Sequence, residues 1–438
     1  MTKRYWVETY GCQMNVSDSE LMEGVLASSG FTAVAAPEDA DVILVNTCAI
    51  RDHAEQRVLG RVAELNRHKK QRPGTLIGVC GCMAQRLGAR LIEQANYVDM
   101  VIGPDAHRSL PQLIEAASAN GGAIVDVDLN PAENYEGLET RRQSGVSAWI
   151  PIQRGCNYRC TFCIVPTTRG SEKNRHPRDV LEEIGCLALE EGITEFTLLG
   201  QTVNSYRYED WDFPRLLQAV AGLPGVRRVR YTSPHPNDLT PELVDVMAAE
   251  DAVCPQLHLP VQSGSNRVLK RMARRYTREE YVTKVKLLRE RIPHIALSTD
   301  IIVGFPGEDA EDFESTLDLV RTVRYDDAFT FRYSPREGTP STRMKDDWSV
   351  PDVVAQERLE RLIELVREIA AEKNLAEVGR TAEVLVEKRA KRGELLQSRT
   401  DTNKVVLVPG PEEWIGRYLK VAITGTTGAT FTGFPIES

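Results

Sequence analysis

The 438-residue sequence predicts an α/β protein in three parts: a small, mostly parallel α/β unit, a partial, open β/α barrel with six strands, and a small all-β barrel. Three observations predict it. Strand and helix patterns alternate from Arg4 to Ala117 and again from Ala148 to Tyr333, as in parallel βα architectures. Turn-forming, polar residues interrupt the alternation at Asn130–Ala148. Beyond Leu375 only short β segments remain, separated by Gly and Pro.

In the first part, Arg4–Thr9, Asp41–Asn46 and Thr75–Cys80 read as buried strands. Ser17–Ser29, Ala54–Lys70, Ala84–Ala95 and Asp105–Ala117 read as helices, with Ser17 and Glu20 as a capping box. The second part offers six strands: Trp149–Gln153, Glu195–Leu199, Arg228–Thr232, Gln256–Val261, Ala296–Val303 and Ala328–Tyr333. Helices such as Arg178–Glu190 and Asp309–Arg324 lie between them. A complete eight-fold barrel takes about 250 residues, so about 190 residues suit a partial one. An amphipathic helix, Asp352–Lys373, follows, with Leu359, Leu362, Ile363, Val366 and Ile369 on one stripe. The tail carries four segments, Thr381–Glu387, Lys404–Val408, Tyr418–Thr424 and Thr430–Phe434. Small barrels of this kind often bind oligonucleotides. The expected divisions are 1–121, a linker at 122–141, 142–373 and 374–438.

A composition of 42% hydrophobic and 27% charged residues is ordinary for a globular chain and argues against wholesale disorder. No apolar run approaches the roughly 18 residues that span a bilayer, and the polar start lacks a secretory apolar region, so a cytoplasmic protein without membrane contact is expected. A net charge of −9 argues against general coating of nucleic acid but leaves room for a local basic site. Nine cysteines, an odd number in a long chain, favour metal or redox chemistry over a disulfide framework.

Cys156, Cys160 and Cys163 form a C-x3-C-x2-C run directly after the first strand of the second part. Three thiolates in one folded loop can hold three irons of a 4Fe-4S cluster. No fourth cysteine lies nearby, which leaves one iron open to a chelating small molecule such as S-adenosylmethionine. A zinc site and plain core cysteines are the alternatives. Cys12, Cys48 and Cys82 lie far apart in sequence, yet each closely follows an N-terminal strand, and ligands of open parallel sheets gather beyond those strand ends. They are candidates for a second metal site. Cys82 is preferred over Cys80, which closes an apolar strand; Cys186 and Cys254 read as packing residues.

The motifs ETYGCQMNVSDSE, NTCAIRDHAE, GVCGCMAQ, RGCNYRCTFCIVPTTRG, LLGQTVNSY, LHLPVQSGS, STDIIVGFPGE and FRYSPREGTP span nearly the whole chain. Together they resemble the radical S-adenosylmethionine methylthiotransferases, and the tail resembles their TRAM domain. YGCQMN, GQTVNSY and LHLPVQSGS are most similar to the branch acting on isopentenyladenosine in tRNA. Sister branches act on threonylcarbamoyladenosine or on an aspartate of a ribosomal protein. Thr167, Thr202 and Glu337 depart from the family pattern, which has a bulky residue, Asn and Pro there.

The resemblance implies that Cys156, Cys160 and Cys163 hold the radical cluster, which cleaves S-adenosylmethionine to methionine and a 5′-deoxyadenosyl radical. It implies an auxiliary 4Fe-4S cluster on Cys12, Cys48 and Cys82 that carries the sulfur, and a second S-adenosylmethionine as methyl donor. The expected product is 2-methylthio-N6-isopentenyladenosine, formed at carbon 2 of the adenine beside the anticodon. No catalytic side chain is expected beyond the cluster ligands. An electron donor such as flavodoxin or ferredoxin and a sulfur source are the implied partners besides tRNA. A non-catalytic iron–sulfur protein is the alternative from another class.

Gly200, Gln201, Gln262, Ser263, Ile302, Gly304 and Gly307 follow or end barrel strands and are candidates for the S-adenosylmethionine pocket, although such residues close βα loops in any case. Arg267, Lys270, Arg271, Arg274 and Arg275, with Lys388, Arg389, Lys391 and Arg392 in the tail, are candidate phosphate contacts or solvated faces. His235 and His258 are assigned no role.

Overall fold

Val42–Thr47 and Leu76–Gly81 are buried at every position, as strands covered on both faces must be. In the computed structural model, which describes residues 3–49, 52–142, 145–345, 348–391 and 393–436, they occupy the middle of a six-stranded parallel sheet. Its order is Thr32–Ala33, Arg4–Thr9, Val42–Thr47, Leu76–Gly81, Met100–Ile102, Ile124–Asp126. Chain direction across the sheet reverses between Arg4–Thr9 and Val42–Thr47, which opens a crevice beyond the carboxyl ends of those two strands. Thr32–Ala33, Met100–Ile102 and Ile124–Asp126 escape sequence analysis because two or three residues are too few to show a period.

Ile124–Asp126 falls inside the segment expected to be a linker, and the rest of that segment is also fastened down. Arg108 pairs with Glu133 at 2.9 Å, the Tyr135 ring is buried beneath the Arg154 guanidinium, and the Glu139 carbonyl abuts Gly24. Gln143 and Ser144 lie outside the described residues.

The capping box placed at Ser17 and Glu20 is not the start of the first helix. That helix runs Gln13–Ser28, Cys12 stands at its N-cap, and the Asn15 side-chain carbonyl accepts the Cys12 N–H at 3.3 Å. Ser17 and Glu20 are buried mid-helix, because this helix is covered by the sheet on one side and by the barrel on the other. The helix expected at Ala84–Ala95 splits at Gly88, where φ is +52°, into Cys82–Leu87 and Arg90–Gln94. The one expected at Asp105–Ala117 opens as a 3-10 turn, Pro104–Ser109, before Leu110–Asn120.

The middle part forms six parallel strands in two sheets. Ser147–Pro151, Glu195–Leu199 and Arg228–Tyr231 make one; Gln256–His258, Ala296–Val303 and Asp327–Arg332 make the other. A parallel bridge from Val229 to Val253 links them, and among the described residues no ladder joins Ser147–Pro151 to Asp327–Arg332. The barrel is therefore partial and open on one side. Its core packs the outward faces of the strands against helices such as Pro177–Leu189 and Ala310–Val323.

The C-terminal unit is a closed five-stranded barrel, ordered Thr381–Arg389, Leu395–Thr400, Val405–Pro409, Phe431–Pro435, Tyr418–Thr426. Leu395–Thr400 was hidden by its polar sequence, LLQSRT. Its alternate residues Leu396, Ser398 and Thr400 point inward, and Ser398 satisfies its buried hydroxyl by donating to the Val406 carbonyl at 2.7 Å. Arg228 and Arg230 dock this unit on the partial barrel by donating to the carbonyls of Glu383, Arg399, Thr400 and Asp401. Among the described residues no helix is long and apolar enough to cross a membrane.

Candidate active site

Three loops leave the carboxyl ends of Arg4–Thr9, Val42–Thr47 and Leu76–Gly81, and each carries one candidate cysteine within three residues. The loops are laced together by asparagines. Asn46 donates to the Asn15 carbonyl at 2.8 Å and to the Ser19 hydroxyl at 2.9 Å, and Asn15 donates to the Thr47 carbonyl at 3.2 Å. Their close approach demands glycine. A Cβ on Gly11 would stand 2.8 Å from the Cys48 Cβ, and one on Gly81, whose φ is +88°, would stand 2.5 Å from the Thr47 carbonyl oxygen.

Cys12, Cys48 and Cys82 thus converge at the sheet's crevice. A hydrogen bond with Cys48 pulls the Cys12 thiol down to about 6, assisted by Arg169 and by N–H groups at the start of its helix. Burial pushes the Cys82 thiol up, although Arg169 Nε donates to its sulfur at 3.2 Å. Cys80 instead packs among Leu44, Met100 and Ile102, where burial drives its thiol far up.

The second site hangs from the first barrel strands. Gly155, at φ +73°, turns the chain against Ser171, and Cys156 N–H donates to the Gly170 carbonyl. Tyr158 anchors the loop by stacking on His235 at 3.8 Å and bonding Asp238 at 2.8 Å. The Cys156 sulfur lies 3.0 Å from the Thr202 hydroxyl, and Arg274 donates to the Cys160 sulfur at 3.3 Å. Burial, with smaller contributions from the neighbouring Cys160 and Cys156, raises the Cys163 thiol to about 12. Buried thiols of this kind ionise readily beside a strong cationic centre, which stabilises the thiolate. Among the described residues no three acidic, His or Cys side chains sit close enough to share a single ion. Three cysteine sulfurs in each set are a donor set that fits a polynuclear iron–sulfur cluster.

The two sites adjoin. Cys82 packs against Ile164, the residue after Cys163, and Arg169 of the same barrel loop reaches across to Cys82. Asp18, fully buried, accepts from Arg169 at 2.6 Å and Arg154 at 2.8 Å.

The candidate pocket residues divide in two. Gln153 accepts the Thr202 N–H and abuts Gly200, Thr202 touches Cys156, and the Gln201 side-chain oxygen is buried with no hydrogen-bond partner. Ile302 and Phe162 of the cysteine loop pack against the same small cluster of Val268, Met272 and Phe305. Gln262, at φ +69°, is tied to the neighbouring strand through Asp300 and Ile302. Ser263 accepts the Ser265 N–H and faces Thr316 within the protein. Gly304 lies under Ala355, and Gly307 under the Arg271 guanidinium.

Three of the five basic residues at 267–275 have partners within the chain. Arg267 pairs with Asp309 and Asp312, Arg271 turns to the Gly307 carbonyl and the Trp348 ring, and Arg274 serves Cys160. Lys270 and Arg275 are exposed, as are Lys388, Arg389 and Lys391 on the C-terminal unit; Arg392 lies outside the described residues. Of the three family departures, Thr202 touches Cys156, Glu337 pairs with Arg90 of the N-terminal unit at 3.0 Å, and Thr167 is exposed. Sequence analysis missed Asp18, Arg154, Arg169 and Arg274 as members of the site. The arginines stand inside or beside its motifs, in RGC, TTRG and MARRY, and that adjacency was the available signal.

The family model described as the radical SAM superfamily matches residues 150–320, the TRAM domain matches 375–433, and uncharacterized protein family UPF0004 matches 4–103. In fold, the chain is similar to the radical S-adenosylmethionine methyltransferase TsrM from Kitasatospora setae, with a TM-score of 0.58 at 16% identity, covering 78% of this chain and 77% of that one. It is also similar to the cobalamin-dependent S-adenosylmethionine radical enzyme OxsB, with a TM-score of 0.56 at 13% identity over 84% and 58% of the two chains. Architecture and cysteine loop together define a radical SAM protein.

Two relatives are each described as tRNA-2-methylthio-N(6)-dimethylallyladenosine synthase. The one from Caldicellulosiruptor saccharolyticus is 45% identical over 96% of this chain and 90% of its own. The one from Thermoanaerobacter sp. strain X514 is 46% identical over 99% and 93%. The chain belongs to the tRNA-2-methylthio-N(6)-dimethylallyladenosine synthase family.

Proposed function

We infer that this chain adds a methylthio group to carbon 2 of N6-isopentenyladenosine beside the anticodon of tRNA. The observation that carries the reading is the pair of three-cysteine sites set against each other across one domain boundary, in a chain of this family. When bound, 4Fe-4S clusters and S-adenosylmethionine supply what acid–base chemistry lacks for an unactivated aromatic C–H bond: a radical, a sulfur and a methyl group. Cys156, Cys160 and Cys163 would hold the radical cluster, with Arg274 and Thr202 bonding two of those sulfurs. Cys12, Cys48 and Cys82 would hold the auxiliary one.

Each set supplies three ligands, so each cluster keeps one iron for a small molecule. Gly200, Gln201 and Ile302 line the approach to the radical site. The remaining pocket candidates act through the loop: Gln262 and Ser263 fix the turn after the fourth barrel strand, and Gly304 and Gly307 let the next loop close against Ala355 and Arg271. The C-terminal barrel, docked by Arg228 and Arg230, would grip the tRNA backbone while the target base is splayed toward the two sites. The divisions 1–121, 142–373 and 374–438 would then carry sulfur insertion, radical generation and RNA capture. A low-potential donor such as flavodoxin or ferredoxin and a sulfur source complete the reaction, in the cytoplasm.

The test is nucleoside mass spectrometry after the anaerobically reconstituted protein meets isopentenylated tRNA, S-adenosylmethionine, sulfide and a reductant. A methylthio group gained on isopentenyladenosine supports the reading. Formation of 5′-deoxyadenosine with the nucleoside unchanged overturns the substrate, and silence on both counts with iron verified overturns the reaction.

A further inference from the structure

Arg169 belongs to the barrel by connectivity, six residues past Cys163, but its guanidinium ends inside the N-terminal unit. There it is buried, with Nε on the Cys82 sulfur at 3.2 Å and Nη2 on Asp18 at 2.6 Å. Asp18 is shared with Arg154, two residues before Cys156, at 2.8 Å, and the Tyr135 ring covers Arg154 at 3.6 Å. Two arginines that bracket the radical cysteines in sequence therefore clasp one carboxylate of the other unit. Two guanidiniums against one carboxylate leave one positive charge over, in a place water does not reach, with a cysteine sulfur as its contact.

We propose that Arg169 is a positioning residue that raises the reduction potential of the auxiliary cluster and fixes that cluster to the radical loop. The inference rests on the assignment of Cys12, Cys48 and Cys82 as ligands made above. A cluster that gains an electron gains negative charge. A donor hydrogen-bonded to a ligand sulfur and a nearby uncompensated cation both favour the reduced state. Asp18 opposes them, so it tempers the effect while holding Arg169 in place. The same clasp explains why the arginine comes from the barrel: removing it loosens the very contact that brings the sulfur site to the radical site.

The experiment uses the full chain with Cys156, Cys160 and Cys163 replaced by Ala, reconstituted anaerobically so that it holds the auxiliary cluster alone. Its one-electron potential is followed by electron paramagnetic resonance during a redox titration. Arg169→Gln should shift the potential downward, and Asp18→Asn, which leaves the arginine but removes the opposing charge, should shift it upward. In the converse background, with Cys12, Cys48 and Cys82 replaced, Arg169→Gln should leave the radical cluster's potential unmoved. Shifts of the same sign, or no shift in either variant at full iron content, overturn the proposal. If Arg169→Gln does not retain iron, Asp18→Asn decides alone: a rise supports the proposal, and anything else overturns it. A parent chain that binds no auxiliary iron refutes the ligand assignment itself, and the proposal falls with it.

Discussion

Arg230 offers the sharpest test of how the C-terminal barrel is held. Its side chain is buried, and it donates to the Asp401 and Thr400 carbonyls at 2.7 Å each, with Glu195 on its other side. Arg230→Met keeps the apolar stem and removes the charge. Hydrogen bonds from a charged donor contribute about 1.5–3 kcal/mol each, so the pair is worth about 3–6 kcal/mol of docking free energy. At about 1.4 kcal/mol per tenfold, the undocked population grows by about a hundredfold to ten-thousandfold. Arg228 remains 3.7 Å from Glu195, so the carboxylate is not stranded, and the barrel's own core is untouched. Hydrogen exchange in the Thr400–Lys404 turn should accelerate toward that factor, because Arg230 holds the Thr400 and Asp401 carbonyls, and Thr400 is buried, while the unit is docked. Affinity for tRNA should fall with it, whereas cleavage of S-adenosylmethionine without RNA should hold. Exchange in the turn within threefold of the parent would refute the reasoning and move the docking energy to Tyr418 beneath Arg227 and to Lys404 beside Asp326.

Three further outcomes are expected. Cys160→Ala should abolish reductive cleavage of S-adenosylmethionine, whereas Cys48→Ala should retain part of it and lose sulfur insertion; the two products are read by chromatography and nucleoside mass spectrometry. Gly81→Ala should cost more than about 1 kcal/mol, since its φ is +88° and the added Cβ would stand 2.4 Å from the Asn46 side-chain oxygen. Iron analysis should find the auxiliary cluster depleted and the radical cluster kept. Burial opposes ionisation of Asp18, but Arg169 and Arg154 outweigh it and hold its carboxyl well below the carboxylate range. A depressed folded value means the stabilisation is complete above the unfolded value, about 3.9, and is lost as pH falls through the folded one. The domain boundary should therefore survive mild acid, and Asp18→Asn should remove this part of the acid dependence of unfolding.

The strands of the partial barrel were legible where runs such as EFTLL and ALSTDIIV are apolar for most of their length and alternate with helical stretches. Glu195–Leu199 and Ala296–Val303 stand where their patterns placed them. Legibility failed where tertiary burial overrode local pattern. S-x-x-E reads as a helix start, yet Ser17 and Glu20 lie mid-helix because two domains cover that helix. Leu395–Thr400 looks like a loop because its inward Ser398 and Thr400 are polar, and only the barrel's hydrogen bonding makes them acceptable core.

The convergence of Cys12, Cys48 and Cys82 was legible for a different reason: each follows a parallel strand, and that position places all three at one end of the sheet. Their electrostatic partners are ordinary charged residues whose meaning depends on contacts across the chain. Asp18 and Arg169 are separated by 151 residues, and each taken alone reads as surface. Arg274 sat in a run that looked like an RNA-facing stripe, and what separates it from its neighbour Arg275 is one turn of backbone that aims one guanidinium at Cys160 and leaves the other in water. Sequence thus exposes the cysteines, whereas the folded chain alone reveals the charges set beside them. In this protein Arg154 and Arg169 also fasten the partial barrel to the N-terminal unit through Asp18, so the surroundings of Cys82 and the domain assembly share one set of bonds.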